Sequence, residues 1–291
     1  MDQTHAGGRA YGAASMTATL REVLVKAPGP AFGRAFDDPA HGFLRPVDLA
    51  RAAREHAALV STLERLGVRV DRLDAETASP DLVYTYDPAL VTERGAILLR
   101  SGRPSRRGEE EVLGAWFAAQ GIPVAGRIEA PGTVDGGDVL WLRPGLPCVG
   151  RTLRTNAEGV SQLSALLGGD VRVFDVPYWN GPAELVHLLS VISPVADDLA
   201  VVYPRLLPAG LWELLGDLGI ATIAVPDEEY PTLGCNVLAV RARVVVAAEG
   251  NPVTAAALRD AGCAVHAFPA GEIGMNGGGG PTCLTRPILR A

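Results

Sequence analysis

The chain has 291 residues, 48% of them hydrophobic, and a formal net charge of −7, enough for a substantial core in one large domain or two modest ones. No basic block is present to drive the counterion release on which nucleic-acid binding depends. No apolar run approaches the roughly 18 residues of a membrane-spanning helix, and the opening MDQTHAGGRAYGAAS lacks the charged-then-apolar layout of a signal peptide. Four cysteines without a C-x-x-C pair argue against disulfides and a zinc site. The composition therefore reads as a cytoplasmic protein whose acidic balance suits a small cationic partner.

Residues 1–16 read as a loose N-terminal extension. LREVLVKAP (20–28) follows as a strand. The stretch PGPAFGRAFDDPAHGF (28–43) is long for a connection and reads equally as a functional cover or a disordered link. VDLARAAREHAALVSTLERLG (47–67) has helical periodicity, and VRVDRL is a strand. The first hairpin is predicted over 82–100, turning at Glu93-Arg94-Gly95, and is followed by a helix over 109–120 and the strand IPVAGRI. The second spans 133–151 with its turn at Pro144-Gly145. Its helix, around TNAEGVSQLSALL, has Thr155 as N-cap and Glu158 completing a capping box, before the strand DVRVFDV. A third hairpin (186–204), the helix LWELLGDL and the strand IATIAV come next. A fourth hairpin (235–249) leads to a helix with Pro252 at its start and Gly262 at its end, then CAVHAF.

PTCLTRPIL near the C-terminus and the first strand and helix near the N-terminus complete a fifth unit when joined. The hairpins start near 82, 133, 186, 235 and 281, a near-constant spacing that predicts five ββαβ units closed into a ring. The fold class is α/β, a five-bladed propeller, with residues 17–291 forming a single domain. An open doubly wound sheet also alternates strands and helices. It offers no reason for two adjacent strands in every repeat, and no G-x-G-x-x-G follows a strand here.

In such a ring the starts of the hairpins converge on the axis. The polar residues there are Asp87, Asp135, His187, Asn236 and Cys283. Individually each has an ordinary explanation: a turn aspartate at Asp87, a bulge at Asp135, a core histidine at His187. The glycines before Cys283 read equally as a flexible turn and as an adaptable ligand-facing loop. Equivalent placement in successive repeats raises them jointly. Cys148 and Cys263, in apolar strands, read as small core residues. A thiol facing two carboxylates and an imidazole suits attack on a planar, multi-donor cation, and a guanidinium meets that description.

PDLVYTYDP, PSRRGE, VDGGDV, GRTLRTN, VHLLS and GGGGPTCLT occur in that order, and through them residues 20–291 resemble the guanidino-modifying enzymes of the pentein superfamily, in particular the dimethylargininases. The resemblance implies a five-bladed ring with a nucleophilic cysteine, Cys283, in the last blade. His187 would serve as acid and then base, and Asp135 would orient the guanidinium and the histidine. Asp87 and Asp81 would grip substrate, while Arg106 and Arg154 would hold its carboxylate. Read without the resemblance, those arginines could equally be a solvated surface pair. The implied reaction converts an N-methylated L-arginine to citrulline and an alkylamine through a covalent S-alkylthiouronium. No metal or organic cofactor is implied, and the protein would be a monomer or homodimer.

Two positions depart from the family pattern. Tyr86 stands where dimethylargininases carry an acidic residue. Leu189 stands where arginine deiminases carry an aspartate that accepts hydrogen bonds from the bare guanidinium end. Leucine removes that acceptor, which favours N-methylated arginine if the side chain faces the pocket. Arginine deimination, amidino transfer and a non-catalytic ribosome-binding factor of the same fold are the alternatives.

Overall fold

The computed structural model describes residues 10–179 and 186–291. β1 (Leu20–Val25) leads through the long loop to a helix, Leu49–Arg65, and on to β2 (Arg69–Arg72). Asp48 caps that helix, accepting from the Arg51 amide at 2.9 Å. Its buried residues, Ala52, His56, Leu59 and Leu63, recur every three or four positions and form one apolar stripe. The next unit comprises β3 (Ala89–Thr92), β4 (Gly95–Leu98), the helix Glu109–Ala119 and β5 (Val124–Arg127). After it come β6 (Val139–Arg143), β7 (Leu146–Arg151), the helix Ala157–Leu167 and β8 (Arg172–Asp175). β9 (Ile192–Ala196), β10 (Leu199–Val202), the helix Ala209–Asp217 and β11 (Ala221–Ala224) follow. The last full unit has β12 (Val237–Arg241), β13 (Val244–Ala248), the helix Pro252–Asp260 and β14 (Ala264–Phe268), and β15 (Arg286–Arg290) ends the chain.

These strands form five three-stranded sheets. In four of them a tight turn pairs the first two strands antiparallel, and the helix carries the chain back so that the third strand runs parallel to the second. Short turns can join only antiparallel neighbours, so a parallel third strand requires the helical crossover. The fifth sheet is assembled from both ends of the chain. β15 pairs antiparallel with β1, placing Arg290 opposite Leu20 and Arg286 opposite Leu24, and β1 pairs parallel with β2. This is the five-bladed α/β propeller expected from the repeat.

Burial falls along a radius. Every residue of β3 and β9 is buried, whereas β5 and β8 are largely exposed. The first strand of each unit is thus the inner wall and the third is the rim.

Several details differ from the expectations. The inner strands start later than the predicted hairpins. Pro80–Val83 and Gly136–Asp138 are single 3₁₀ turns, and Leu188–Val191 is one α-helical turn. Pro281–Thr285 is also a turn, in which the Leu284 amide donates to the Gly280 carbonyl at 3.1 Å. Asp, Gly and Pro in three of these segments, and the Ser190 hydroxyl accepting from the His187 amide at 3.0 Å in the fourth, satisfy the backbone locally and delay the ladder. The N-cap of Ala157–Leu167 is Asn156, which accepts from the Gly159 amide at 2.8 Å; Thr155 is used elsewhere. Residues 10–16, expected as part of a loose extension, pack against the ring. The Gly12 amide donates to Ile288 and its carbonyl accepts from Arg290, both at 2.8 Å, while Ala13 and Met16 are buried. Residues 1–9 lie outside the described residues.

Ile288 on β15 is fully buried in an apolar cluster with Leu24, Leu82 and Val91. Ile288→Ala is expected to lower stability by about 2–5 kcal/mol in urea titration. A loss near zero would show that the closing strand does not hold the ring.

Candidate active site

Each unit presents one polar residue on the turn or short link just before its inner strand: Asp87, Asp135, His187, Asn236 and Cys283. Backbone bonds stitch these links together across blades. The Tyr86 amide donates to the Cys283 carbonyl at 3.1 Å, and the Gly136 amide to the Asp87 carbonyl at 2.9 Å.

Asp135 is fully buried. One carboxylate oxygen accepts from the Gly102 amide at 3.2 Å, and the other lies 3.2 Å from His187 Nε2 and 3.5 Å from Arg154 Nη1. Burial works to raise its pKa, but the His187 hydrogen bond and charge, with Arg106 and Arg154, hold the group well below the usual carboxylate range. His187 shows the reverse balance. Burial disfavours its charge, yet Asp138, Asp135 and Asp87 carry its pKa up to about 9, so the imidazolium prevails at neutral pH. Gly137 allows this approach, since a Cβ there would strike His187 Nδ1 and the Asp87 carboxylate.

Asp138, the last residue of the VDGGD motif, was not anticipated. Its carboxylate accepts from the Leu188 amide at 2.9 Å and from the hydroxyls of Thr152 and Thr155 at 2.7 and 2.6 Å, which fixes the turn that carries His187. The Thr155 hydroxyl also accepts from the Asp135 amide at 3.2 Å, which explains why it does not cap the helix. Burial lifts the Asp138 pKa to about 6 against those hydrogen bonds.

Cys283 is half-buried and accepts from Asn236 Nδ2 at 3.3 Å, while Asn236 Oδ1 accepts from the Thr282 amide at 3.1 Å. Burial and the Asp87 charge push the thiol up to about 11, opposed by Asn236, the Gly280 amide and Arg106. The glycines before it serve close approach. A Cβ on Gly280 would lie 2.5 Å from Asn236 Cγ, and one on Gly279 would enter the Tyr84 ring. Cys148, Cys235 and Cys263 are buried and free, and burial raises all three pKa values.

The remaining expected site residues are placed differently from one another. Asp87 accepts from the Gly137 amide at 2.8 Å and pairs with Arg106. Arg106 is buried and spends its donors on Asp87, Glu109 and the carbonyls of Asp81 and Tyr84, so it is not free to take a substrate carboxylate. Asp81 is bound by His41 Nδ1 at 2.7 Å, with Arg103 Nη1 at 3.7 Å. Tyr86 and Leu189 point into the largest apolar cluster instead of a cavity. The helical turn that begins at His187 rotates Leu189 inward, so it forms core, not pocket wall.

Arg103 and Arg154 line a cavity of about 440 Å³ together with Gly42, Gly102, Pro104 and Leu153. Burial and mutual repulsion lower the pKa of Arg154 to about 10. Two neighbouring guanidinium groups thus face a cavity beside Asp135, Arg154 reaching Asp135 and Arg103 donating to the His41 carbonyl at 3.1 Å. Arg103 carried no sequence signal, being one of several arginines in SGRPSRRGE; Asp138 did, through its motif. Residues 28–43 form three short helical turns, with Phe32 and Phe43 packed edge to face at 5.3 Å. His41 from this segment reaches Asp81, so the segment lies over the site's edge. Among the described residues no group of three His, Cys, Asp or Glu is placed to hold a metal, and no helix is long and apolar enough to cross a membrane.

The family model described as arginine deiminase matches residues 76–216 and 214–290. The N(G),N(G)-dimethylarginine dimethylaminohydrolase of Pseudomonas aeruginosa is 38% identical over 120 residues, covering 41% of this chain and 47%, about half, of that relative. The enzyme of the same name from Streptomyces coelicolor is 30% identical over 83% of this chain and 87% of its own length. A solved structure of the Pseudomonas aeruginosa protein, a cysteine-to-serine mutant complexed with citrulline, superposes with a TM-score of 0.78 at 25% identity, over 93% of this chain and all of that one. With the ring, the ordered motifs and these matches in agreement, the chain belongs to the arginine deiminase family, which includes the dimethylarginine dimethylaminohydrolases.

Proposed function

We propose that this protein is a cysteine hydrolase of guanidino C–N bonds acting on an N-methylated L-arginine to give L-citrulline and a methylamine. The observation that carries the reading is the buried Asp135–His187 pair, with Asp87 beside it and a thiol on the adjoining blade. Each Asp87 oxygen has one protein donor and keeps a lone pair for a substrate N–H. A guanidinium held by Asp87 and Asp135 supplies the positive charge that a thiol near pKa 11 requires. The thiolate of Cys283 then attacks the guanidino carbon. His187, protonated at neutral pH, gives its proton to the departing amine as the C–N bond breaks, leaving a covalent S-alkylthiouronium. As the neutral base it next takes a proton from water, which attacks the same carbon. Collapse expels the thiolate and yields the ureido product.

The Arg103–Arg154 cavity supports a substrate carrying a carboxylate, in place of the Arg106–Arg154 pair expected from sequence. The names of the Pseudomonas and Streptomyces relatives support methylated arginine. Arginine deimination is the second reading, favoured by the description of the family model.

A product assay on arginine, its mono- and dimethyl forms and agmatine separates these readings. Citrulline is expected chiefly from the methylated forms, and Cys283→Ser is expected to remove turnover while melting as the parent does. Release of ureido product by the serine variant at the parental rate would end the proposal. Arg103→Ala is expected to raise KM for substrates with an α-carboxylate about 10–100-fold, the loss of a charge-assisted hydrogen bond or two. An equal rise for agmatine would remove Arg103 from carboxylate recognition. The pH dependence follows from the two raised pKa values. The rate of Cys283 alkylation by iodoacetamide should climb with pH toward about 11, whereas kcat should fall as pH passes about 9 and His187 loses its proton. A kcat that rises in parallel with alkylation would exclude His187 as the acid.

A further inference from the structure

Tyr86 and Arg286 take no part in the chemistry above, yet both are buried at 2% exposure immediately beside it. Arg286 lies three residues beyond Cys283 at the start of the closing strand. Its guanidinium stacks on the Tyr86 ring with Cζ 4.0 Å from the centroid. The same group donates from Nη1 to the carbonyls of Tyr86, at 3.0 Å, and Ala89. Those two carbonyls bracket Asp87. In the other direction, the Tyr86 amide donates to the Cys283 carbonyl at 3.1 Å. The Tyr86 hydroxyl reaches the Val139 carbonyl at 3.4 Å, at the end of the segment that carries Asp135 and Asp138. One stacked pair thus touches the links bearing the nucleophile, the gripping carboxylate and the histidine's partner.

We propose that Arg286, stacked on Tyr86, is the positioning residue that sets the Asp87 carboxylate against the Cys283 sulfur. Both bonds leave from Nη1 while the planar group lies flat on the ring; an ammonium could reach the carbonyls as a point charge but has no flat face to stack. Arg286 also sits in a ladder with Leu24, so the strand that closes the ring fixes where the guanidinium lies. The inference rests on the proposed guanidino chemistry, and it explains why tyrosine stands beside Asp87: its flat face receives the cation.

The test compares two alkylating agents on Cys283, the cationic 2-chloroacetamidine and the neutral iodoacetamide. Only the amidinium needs a correctly placed Asp87. In the parent protein the amidinium should react at least about tenfold faster, as expected for a charge-assisted contact. Absence of that preference in the parent would overturn the guanidino reading itself. If the parent shows it, Arg286→Met should bring the ratio down to that of Asp87→Asn while iodoacetamide still reacts at close to the parental rate. Tyr86→Phe, which keeps a ring under the cation, should retain the preference, and Tyr86→Leu should lose most of it. A ratio in Arg286→Met equal to the parent's, whatever its melting temperature, would overturn the positioning role and leave a purely structural arginine. Should Arg286→Met not fold, Arg286→Lys decides in the same way: a reduced ratio supports the stacked guanidinium, and an unchanged ratio refutes it.

Discussion

The antiparallel pairing of β15 with β1 is the constraint from which the rest of the molecule follows. It places Arg290 opposite Leu20 and makes one sheet from the two ends of the chain. With the ring closed, the innermost strand of every unit is covered on both sides, and the links before those strands have nowhere to go but toward one another. The four glycines and the cysteine near the C-terminus belong to this closure. Gly277, Gly279 and Gly280 pass against Tyr84 and Asn236, where a side chain would collide, Gly278 adopts a left-handed φ of 79°, and together they bring Cys283 beside Asn236.

Burial then sets the electrostatics. Carboxylates and an imidazole removed from water are tolerated when they pair and are fully hydrogen-bonded. Asp135 and His187 pair directly, and Asp138 is satisfied by two hydroxyls and an amide. The same burial makes Cys283 a poor nucleophile in isolation, because burial and the Asp87 charge outweigh the opposing Asn236, Gly280 and Arg106. In the proposed function a bound guanidinium would change that balance, making affinity for the cation and activation of the thiol one interaction viewed from two sides. Arg106 is drawn into this network as a structural counter-charge to Asp87 and Glu109. Arg103 and Arg154 are the guanidinium groups left facing the cavity, where the proposed function places the substrate carboxylate.

Much of the architecture was legible because it is written in local terms. Turn residues at Glu93-Arg94 and Pro144-Gly145, the apolar stripe of Leu49–Arg65 and the spacing of the hairpins are short-range patterns, and the repeat amplifies them. The gathering of Asp87, Asp135, His187, Asn236 and Cys283 was legible for the same reason, since equivalent positions in a closed ring meet. Strand starts were misplaced where Asp, Gly and Pro satisfy the backbone in single turns. Asn156 caps the helix in place of Thr155 because a tertiary partner, Asp138, competes for the threonine hydroxyl.

By itself the sequence determined the number of units, their order, the closing of the ring by its ends and the residue types gathered at the axis. These depend on periodicity and on turn chemistry, which act over a few residues. Only the tertiary structure decided which guanidinium groups face the cavity and which are buried in ion pairs, that Leu189 and Tyr86 face the core, that residues 10–16 pack against the closing strand, and that Arg286 lies across Tyr86. Each of those outcomes turns on the direction of a side chain or the partner of a backbone group, and that choice is set by competition among groups brought together from distant parts of the chain.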